Sequence, residues 1–299
     1  MTATSIVIPE SLVDAVRRGR CVLFLGAMAS AKSPADSAYT YRAGPPGGGQ
    51  LSALLARLSK YKGSDRWNLL RVSQFYELQG DDRAFYRDRM AQVVRKVLTR
   101  QRVVPSPALH MLAALPFRLI VTTNYDHLFE QALGRAKTLA GRKKDPPPPI
   151  IYDRDPAKRK DGPWEIEEEN PVLFKMHGDY SDTDSMVITE EDYIHFLEQM
   201  GDERTHPIPE NIRFRVKNHP ILFIGYGLKD WNLRVLLRAL SWNIKPGSLQ
   251  KSFSVDPFPD DLVAMVMRKS EKRQVDFLEH NLWDFVPALY QAVVGRPYP

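Results

Sequence analysis

Four short apolar runs, each ending in a polar or glycine-containing turn, constrain this chain more than any other feature. Cys21-Val22-Leu23-Phe24-Leu25 leads into Gly26-Ala27-Met28-Ala29-Ser30, and Leu119-Ile120-Val121 leads into Thr122-Thr123-Asn124-Tyr125-Asp126. Val172-Leu173-Phe174-Lys175 leads into Met176-His177-Gly178-Asp179, and Ile221-Leu222-Phe223-Ile224 into Gly225-Tyr226-Gly227-Leu228-Lys229-Asp230. A strand with one wet face alternates apolar and polar residues. An unbroken apolar strand is buried on both faces, as in a parallel sheet covered by helices.

Helical spacing fills the intervals. Apolar residues at 51, 54, 55 and 58 mark one helix face, and the same spacing runs through 75–98. Helices are also predicted over 127–133, 231–240 and 282–294, with Asp230 as the N-cap of the second of these. Two more short strands fall at 252–255 and 274–277. This alternation predicts an α/β fold, a Rossmann-like doubly wound and mostly parallel sheet with helical insertions. In such sheets ligands bind beyond the carboxyl ends of the strands, and every polar motif above sits at such an end. The length, 299 residues, suits one elaborated domain over the whole chain, with a loop insertion at about 134–170. That insertion holds four consecutive prolines, Pro146 to Pro149, which exclude a regular helix. The stretch 30–50 is rich in Ser, Pro and Gly and reads as a loop after the first strand.

Composition removes several classes. The single cysteine, Cys21, excludes an intramolecular disulfide and a four-cysteine zinc ribbon. No apolar run reaches the roughly 20 residues of a membrane helix, and the first twenty residues show no apolar signal core. The expectation is a soluble, cytoplasmic protein without membrane contact. The formal charge of +6 is unevenly spread: residues 1–150 hold 23 Lys+Arg against 11 Asp+Glu, whereas 151–299 hold 19 against 25. A basic half attracts phosphates, or is simply a soluble surface. The run 83–102 holds seven Lys+Arg without a nucleic-acid motif or interleaved exposed aromatics, and reads as a solvated helix face.

The strand-end residues divide by chemistry. Gly26 allows a tight turn and close backbone approach to a phosphate, or a plain strand end; Met28 stands where a dinucleotide fingerprint would place its second glycine. Asn124 offers a carbonyl acceptor and an amide donor in fixed geometry, able to hold a sugar hydroxyl or orient a water. Asp126 either contacts the same ligand or caps the following helix. His177 is a candidate general base. His110, His127, His195, His206, His219 and His280 show no metal-ligand spacing and read as surface or core residues.

Taken in order, the four segments resemble the sirtuin superfamily, and within it the bacterial sirtuin-like NADase branch of antiphage effectors. Gly26-Ala27-Met28-Ala29-Ser30 is similar to the family's Gly-Ala-Gly-x-Ser turn, with Met28 as a departure. Thr122-Thr123-Asn124-Tyr125-Asp126 is similar to Thr-x-Asn-x-Asp, His177-Gly178 to the catalytic His-Gly, and Gly225-Tyr226-Gly227 with Asp230 to the Gly-Tyr-Ser/Gly-x-x-Asp turn. Ser254-Val255-Asp256-Pro257 stands where the family closes around the adenosine ribose. The resemblance implies NAD⁺ as substrate and cleavage of its nicotinamide–ribose bond. It assigns catalysis to Asn124 and His177, and NAD⁺ binding to Gly26, Ala27, Ser30, Thr122, Asp126, Gly225, Gly227 and Asp256, with no metal. Deacetylating members carry a Cys₄ zinc module that one cysteine cannot supply, so hydrolysis to nicotinamide and ADP-ribose is the expected reaction. The branch also implies a gate, through a homo-oligomer or a partner such as a HerA-type ATPase or a short Argonaute. The competing readings are a non-catalytic NAD⁺ or ADP-ribose sensor that drives assembly, and an ADP-ribosyltransferase or deacylase.

Overall fold

The structure, a computed structural model, describes residues 6–100, 103–159, 165–202, 204–227, 231–240 and 251–299. Seven strands form a single sheet: β1 (Val22–Leu25), β2 (Leu119–Thr122), β3 (Ile150–Ile151), β4 (Val172–Lys175), β5 (Ile221–Ile224), β6 (Ser252–Val255) and β7 (Val275–Leu278). Their order is β3-β4-β2-β1-β5-β6-β7, and every pairing is parallel. The expected α/β fold is present. From β1 the chain passes to β2 and on to the edge strand β3, then returns to place β4 between them. It then crosses to β5 on the other side of β1, which makes the β1–β5 boundary the switch point.

The unbroken apolar runs are explained by helices on both faces. Leu23, Leu25, Ile120 and Leu222 pack toward α1 (Glu10–Arg17), α5 (Pro107–Ala114), α6 (Leu128–Leu133) and α11 (Leu282–Val294). Val22, Phe24, Val121 and Phe223 face the other way. There they join Phe196 of α7 (Glu190–Gln199), Ile212 of α8 (Glu210–Asn218), Leu236 of α9 (Trp231–Leu240) and Val263 of α10 (Asp261–Arg268). Each such side chain contributes about 1.5–3 kcal/mol by leaving water.

A third apolar cluster belongs to α2 (Gly48–Leu58), α3 (Leu69–Glu77) and α4 (Arg83–Leu98), inserted between β1 and β2. The helical spacing over 75–98 is therefore two helices. The chain breaks after Glu77, and Asp82 restarts it by accepting the Phe85 N–H at 2.9 Å. The predicted face of that run needs correction too. Arg87 is buried in ion pairs, and Phe85 is an exposed aromatic within the basic stretch.

The insertion at 134–170 contributes the edge strand β3. Lys144 anchors it: its buried Nζ donates to Leu115 O at 2.6 Å, at the end of α5, and burial lowers its pKa to about 8. Among the described residues no helix is long and apolar enough to cross a membrane. Asp230, the expected N-cap of α9, lies outside the described residues.

Candidate active site

Register brings the motifs to one edge. Leu25 pairs with Thr122 and with Ile224, Thr122 pairs with Lys175, and Ile224 pairs with Val255. Gly26, Asn124, His177, Gly225 and Asp256 therefore follow five adjacent strands at the same carboxyl edge, in the spatial order His177, Asn124, Gly26, Gly225, Asp256.

At the β2–β1–β5 junction the loops are bonded to one another. Thr122 Oγ1 donates to Leu25 O at 2.9 Å and accepts the Asn124 N–H at 3.0 Å, which fixes the turn that carries Asn124. Asn124 Nδ2 donates to Gly26 O at 3.2 Å. Tyr226 Oη donates to Leu25 O at 2.9 Å and lies 2.8 Å from Thr123 Oγ1; burial pushes this phenol's pKa up. Gly225 has φ +80°, and a Cβ there would strike the backbone of Ala29 and Gly26. Its carbonyl accepts the Met28 N–H at 3.1 Å. Glycine is required here for both conformation and closeness. Tyr226 was not among the expected site residues, although its place between two glycines at a strand end was a visible signal.

His177 sits after β4 with its ring edge-on to Phe196 and Tyr193, at 5.7 and 6.1 Å between centroids. Its Nε2 is buried without a hydrogen-bond partner, and burial lowers its pKa to about 4. The imidazole is therefore neutral at physiological pH, the form that accepts a proton. Gly178 has φ +83°, and a side chain there would collide with Ser185.

The other expected residues are placed as follows. Ala27 and Gly227 are exposed at the edge, while Ser30 is buried, its Oγ unpartnered. Asp126 Oδ1 accepts the Leu128 N–H at 2.9 Å, at the first residue of α6, whose N-cap residue is His127. Burial raises the Asp126 pKa. Asp256 Oδ1 accepts the Phe258 N–H at 2.9 Å, which shapes the turn after β6. Met28 is 55% exposed, with Sδ close against Gly47 at the start of α2. A groove of about 420 Å³ along α10, lined by Ala264, Met265 and Arg268 among others, contains none of these residues.

Sequence reasoning missed the group that binds the two central loops together. Lys175, fully buried, closes β4 and directs its ammonium to Asp179 (2.6 Å) and Glu130 (2.9 Å). It also donates to Asp126 O at 2.6 Å and Tyr125 O at 3.3 Å. Glu130, on α6, and the two carbonyls belong to the segment that follows Asn124; Asp179 follows His177. The neighbouring carboxylates keep the Lys175 pKa raised despite the opposing effect of burial. His127, Glu130 and Asp179 have the spacing of a metal-ligand set, and the Lys175 ammonium lies against both carboxylates. The available signal was a lysine ending an otherwise apolar strand.

The motif-bearing loops thus share one carboxyl edge of the sheet, and sequence comparison supplies the family. The family model described as the SIR2-like domain matches residues 118–281, more than half of the chain. The chain belongs to that family. It is 29% identical over 139 residues to the NAD(+) hydrolase ThsA of Enterococcus faecium, across 45% of this chain and 25% of that one. It is 27% identical over 174 residues to the NAD(+) hydrolase ThsA of Acinetobacter baumannii, across 57% and 30%. With Defense-associated sirtuin 2 of Bacillus subtilis it shares 25% identity over 186 residues, across 58% and 16%. The chain thus spans less than a third of the length of these relatives. A solved Sir2 homologue in complex with NAD aligns over 97% of this chain and 96% of its own at 13% identity, with a TM-score of 0.40. A likeness at that level lends the site no support.

Proposed function

We propose that this protein is an NAD⁺ hydrolase that cleaves the nicotinamide–ribose bond and releases nicotinamide and ADP-ribose. The observation that carries the reading is the convergence of Asn124, His177, Gly26 and Gly225 on one edge of four adjacent strands at the switch point. Relatives named NAD(+) hydrolase support it.

The chemistry asks little of the protein beyond placement. Nicotinamide in NAD⁺ is a cationic leaving group and departs neutral without a general acid. The transition state at the ribose carbon is oxocarbenium-like, as in other glycoside cleavages. One Asn124 N–H is committed to Gly26 O, and its Oδ1 supplies the acceptor for a ribose hydroxyl or the attacking water. Neutral His177 takes a proton from that hydroxyl or water. The Gly26, Ala27 and Ser30 turn and the Thr122–Asp126 loop hold the pyrophosphate and nicotinamide ribose; Gly225, Gly227 and Asp256 hold the adenosine half.

We assign the protein to antiphage defence, where unchecked NAD⁺ loss would be toxic and a gate is required. Met28, within the phosphate turn and with Sδ close against Gly47, is the residue that would hold the isolated chain at low activity until a homo-oligomer or a partner such as a HerA-type ATPase or short Argonaute acts. The test follows nicotinamide and ADP-ribose from the chain incubated with NAD⁺, alone and with a candidate partner. Wild type releases both, while Asn124→Ala and His177→Ala stay folded and lose about a hundredfold or more in rate. Undiminished release by both variants would falsify the site. Full-speed hydrolysis by the isolated chain would remove the gate.

A further inference from the structure

Three residues beyond Asn124 and three beyond His177, the two strand-end loops meet in a hydrogen-bonded chain that the proposed hydrolysis leaves unused. Tyr180 Oη lies 2.9 Å from His127 Nδ1. His127 Nε2 lies 2.9 and 2.8 Å from the two carboxylate oxygens of Asp179. Asp179 also receives the Lys175 ammonium and both the N–H (2.8 Å) and Oγ–H (2.6 Å) of Ser181. These donors keep its carboxyl well below the ordinary carboxylate range, against the effect of burial.

That ionisation fixes the histidine tautomer. An ionised carboxylate only accepts, so Nε2 carries the ring proton and Nδ1 is left to accept the Tyr180 O–H. The result is a hydroxyl, an imidazole base and an orienting carboxylate in sequence, the geometry that activates a hydroxyl nucleophile on unrelated folds. The His127 and Tyr180 rings also stack, 4.3 Å between centroids. The Tyr180 N–H donates to Tyr125 O at 3.2 Å, which pins this residue beside the Asn124 turn. The His127 side chain is 35% exposed while that of Asp179 is buried. Tyr180 is half-buried as well, so the hydroxyl and the base are partly open while the orienting carboxylate is not.

We propose that Tyr180 is a self-modification site, an activated phenol that accepts ADP-ribose from NAD⁺. The step rests on the hydrolase reading, because it draws on the same oxocarbenium-like ribose carbon. The C–N bond to nicotinamide breaks and nicotinamide leaves neutral with the electron pair. A bond forms between Tyr180 Oη and the ribose carbon, and the phenolic proton passes to His127 Nδ1. The imidazolium that results is held by Asp179 through Nε2–H. Water captures the same carbon in hydrolysis, and Tyr180 competes with it.

The experiment incubates the full chain with NAD⁺ and follows nicotinamide release together with the intact and peptide masses. Wild type gains the mass of one ADP-ribose on the peptide carrying Tyr180. Tyr180→Phe loses the adduct and keeps its rate of nicotinamide release within about twofold. His127→Gln lowers adduct formation about a hundredfold. Nicotinamide release from wild type with no adduct, or an adduct that persists in Tyr180→Phe, overturns the assignment and leaves the hydrolase reading standing. Absence of nicotinamide release both alone and with a candidate partner defeats the hydrolase reading instead, and a second probe then decides on Tyr180. An aryl sulfonyl fluoride forms a sulfur–oxygen bond to an activated phenol and expels fluoride. Labelling of Tyr180 that depends on His127 supports the activated phenol; unlabelled Tyr180, or equal labelling in His127→Gln, overturns it.

Discussion

Among the described residues, buried ion pairs cluster at two places, and the two clusters are built differently. At the strand ends the Lys175 ammonium meets Asp179 and Glu130, a formal surplus of one negative charge among these three groups. Beneath the helical layer, the Arg87 guanidinium meets Glu77 and Asp192, Arg154 pairs with Asp192 and the exposed Arg83 with Glu77, so the two buried acids are fully matched by cations. The balanced group also takes Met186 O onto Arg87 Nη2 at 2.8 Å and joins α3, α4 and α7. A planar fork suits that task, because it reaches several acceptors in fixed directions. The lysine cluster joins only the two loops that carry Asn124 and His177. Its surplus negative charge stands beside the region where the proposed reaction develops positive charge. One cluster fastens layers together, and the other joins the two loops of the proposed site.

Replacing Lys175 by Met is the strongest way to break this contrast. It leaves Asp179 and Glu130 facing one another without a cation, at a cost of about 3–5 kcal/mol. Denaturant unfolding should register that loss, and nicotinamide release should collapse in whatever fraction remains folded. A folded Lys175→Met protein with wild-type turnover would show that the cluster does not serve the site. Arg87→Met should cost somewhat less, about 2–4 kcal/mol, because Arg154 and Arg83 still reach the two acids. Below its lowered melting temperature, this variant should hydrolyse NAD⁺ at close to the wild-type rate.

Acid should separate the contributions further. His177 has its pKa lowered from 6.5 to about 4 in the folded chain. As pH falls through that window, the unfolded chain takes up a proton that the folded chain refuses. Stability therefore drops, by up to about 3 kcal/mol over the full interval. Melting curves between pH 7 and about 4 would show this, and His177→Phe should flatten the slope. Asp179, held low by its donors, loses its contribution only in stronger acid, below the unfolded carboxylate value of about 3.9. The smallest effect belongs to Arg83, whose side chain is 52% exposed where it meets Glu77. Arg83→Ala should change stability by no more than about 1 kcal/mol.

The same contrast explains what the bare sequence could reveal. Strands buried on both faces must be apolar throughout, so β1, β2, β4 and β5 were legible, and their ends located Gly26, Asn124, His177 and Gly225. α11 was found at 282–294, as observed. The break between α3 and α4 was not read, although Gln79 to Arg83 carry no apolar residue and interrupt the spacing between Leu78 and Ala84. The two-residue strand β3 carries too little pattern to be found at all. The ion clusters were invisible for a different reason. Their members come from separate elements, and a glutamate on a helix looks the same in sequence whether it meets water or Lys175. His127 shows the limit most clearly: it read as a surface or core histidine, and only folding brought Asp179 and Tyr180 to its two nitrogens.

Lys175 also has a consequence for robustness. His127, Glu130 and Asp179 lie within 4.8 Å of one another, a spacing at which many proteins recruit a divalent ion. Here a cation tethered to the backbone holds the two carboxylates. A tethered ammonium does not dissociate on dilution and cannot be withdrawn by a chelator. The joint between the Asn124 and His177 loops therefore forms whenever the chain folds, independent of the ion supply around it.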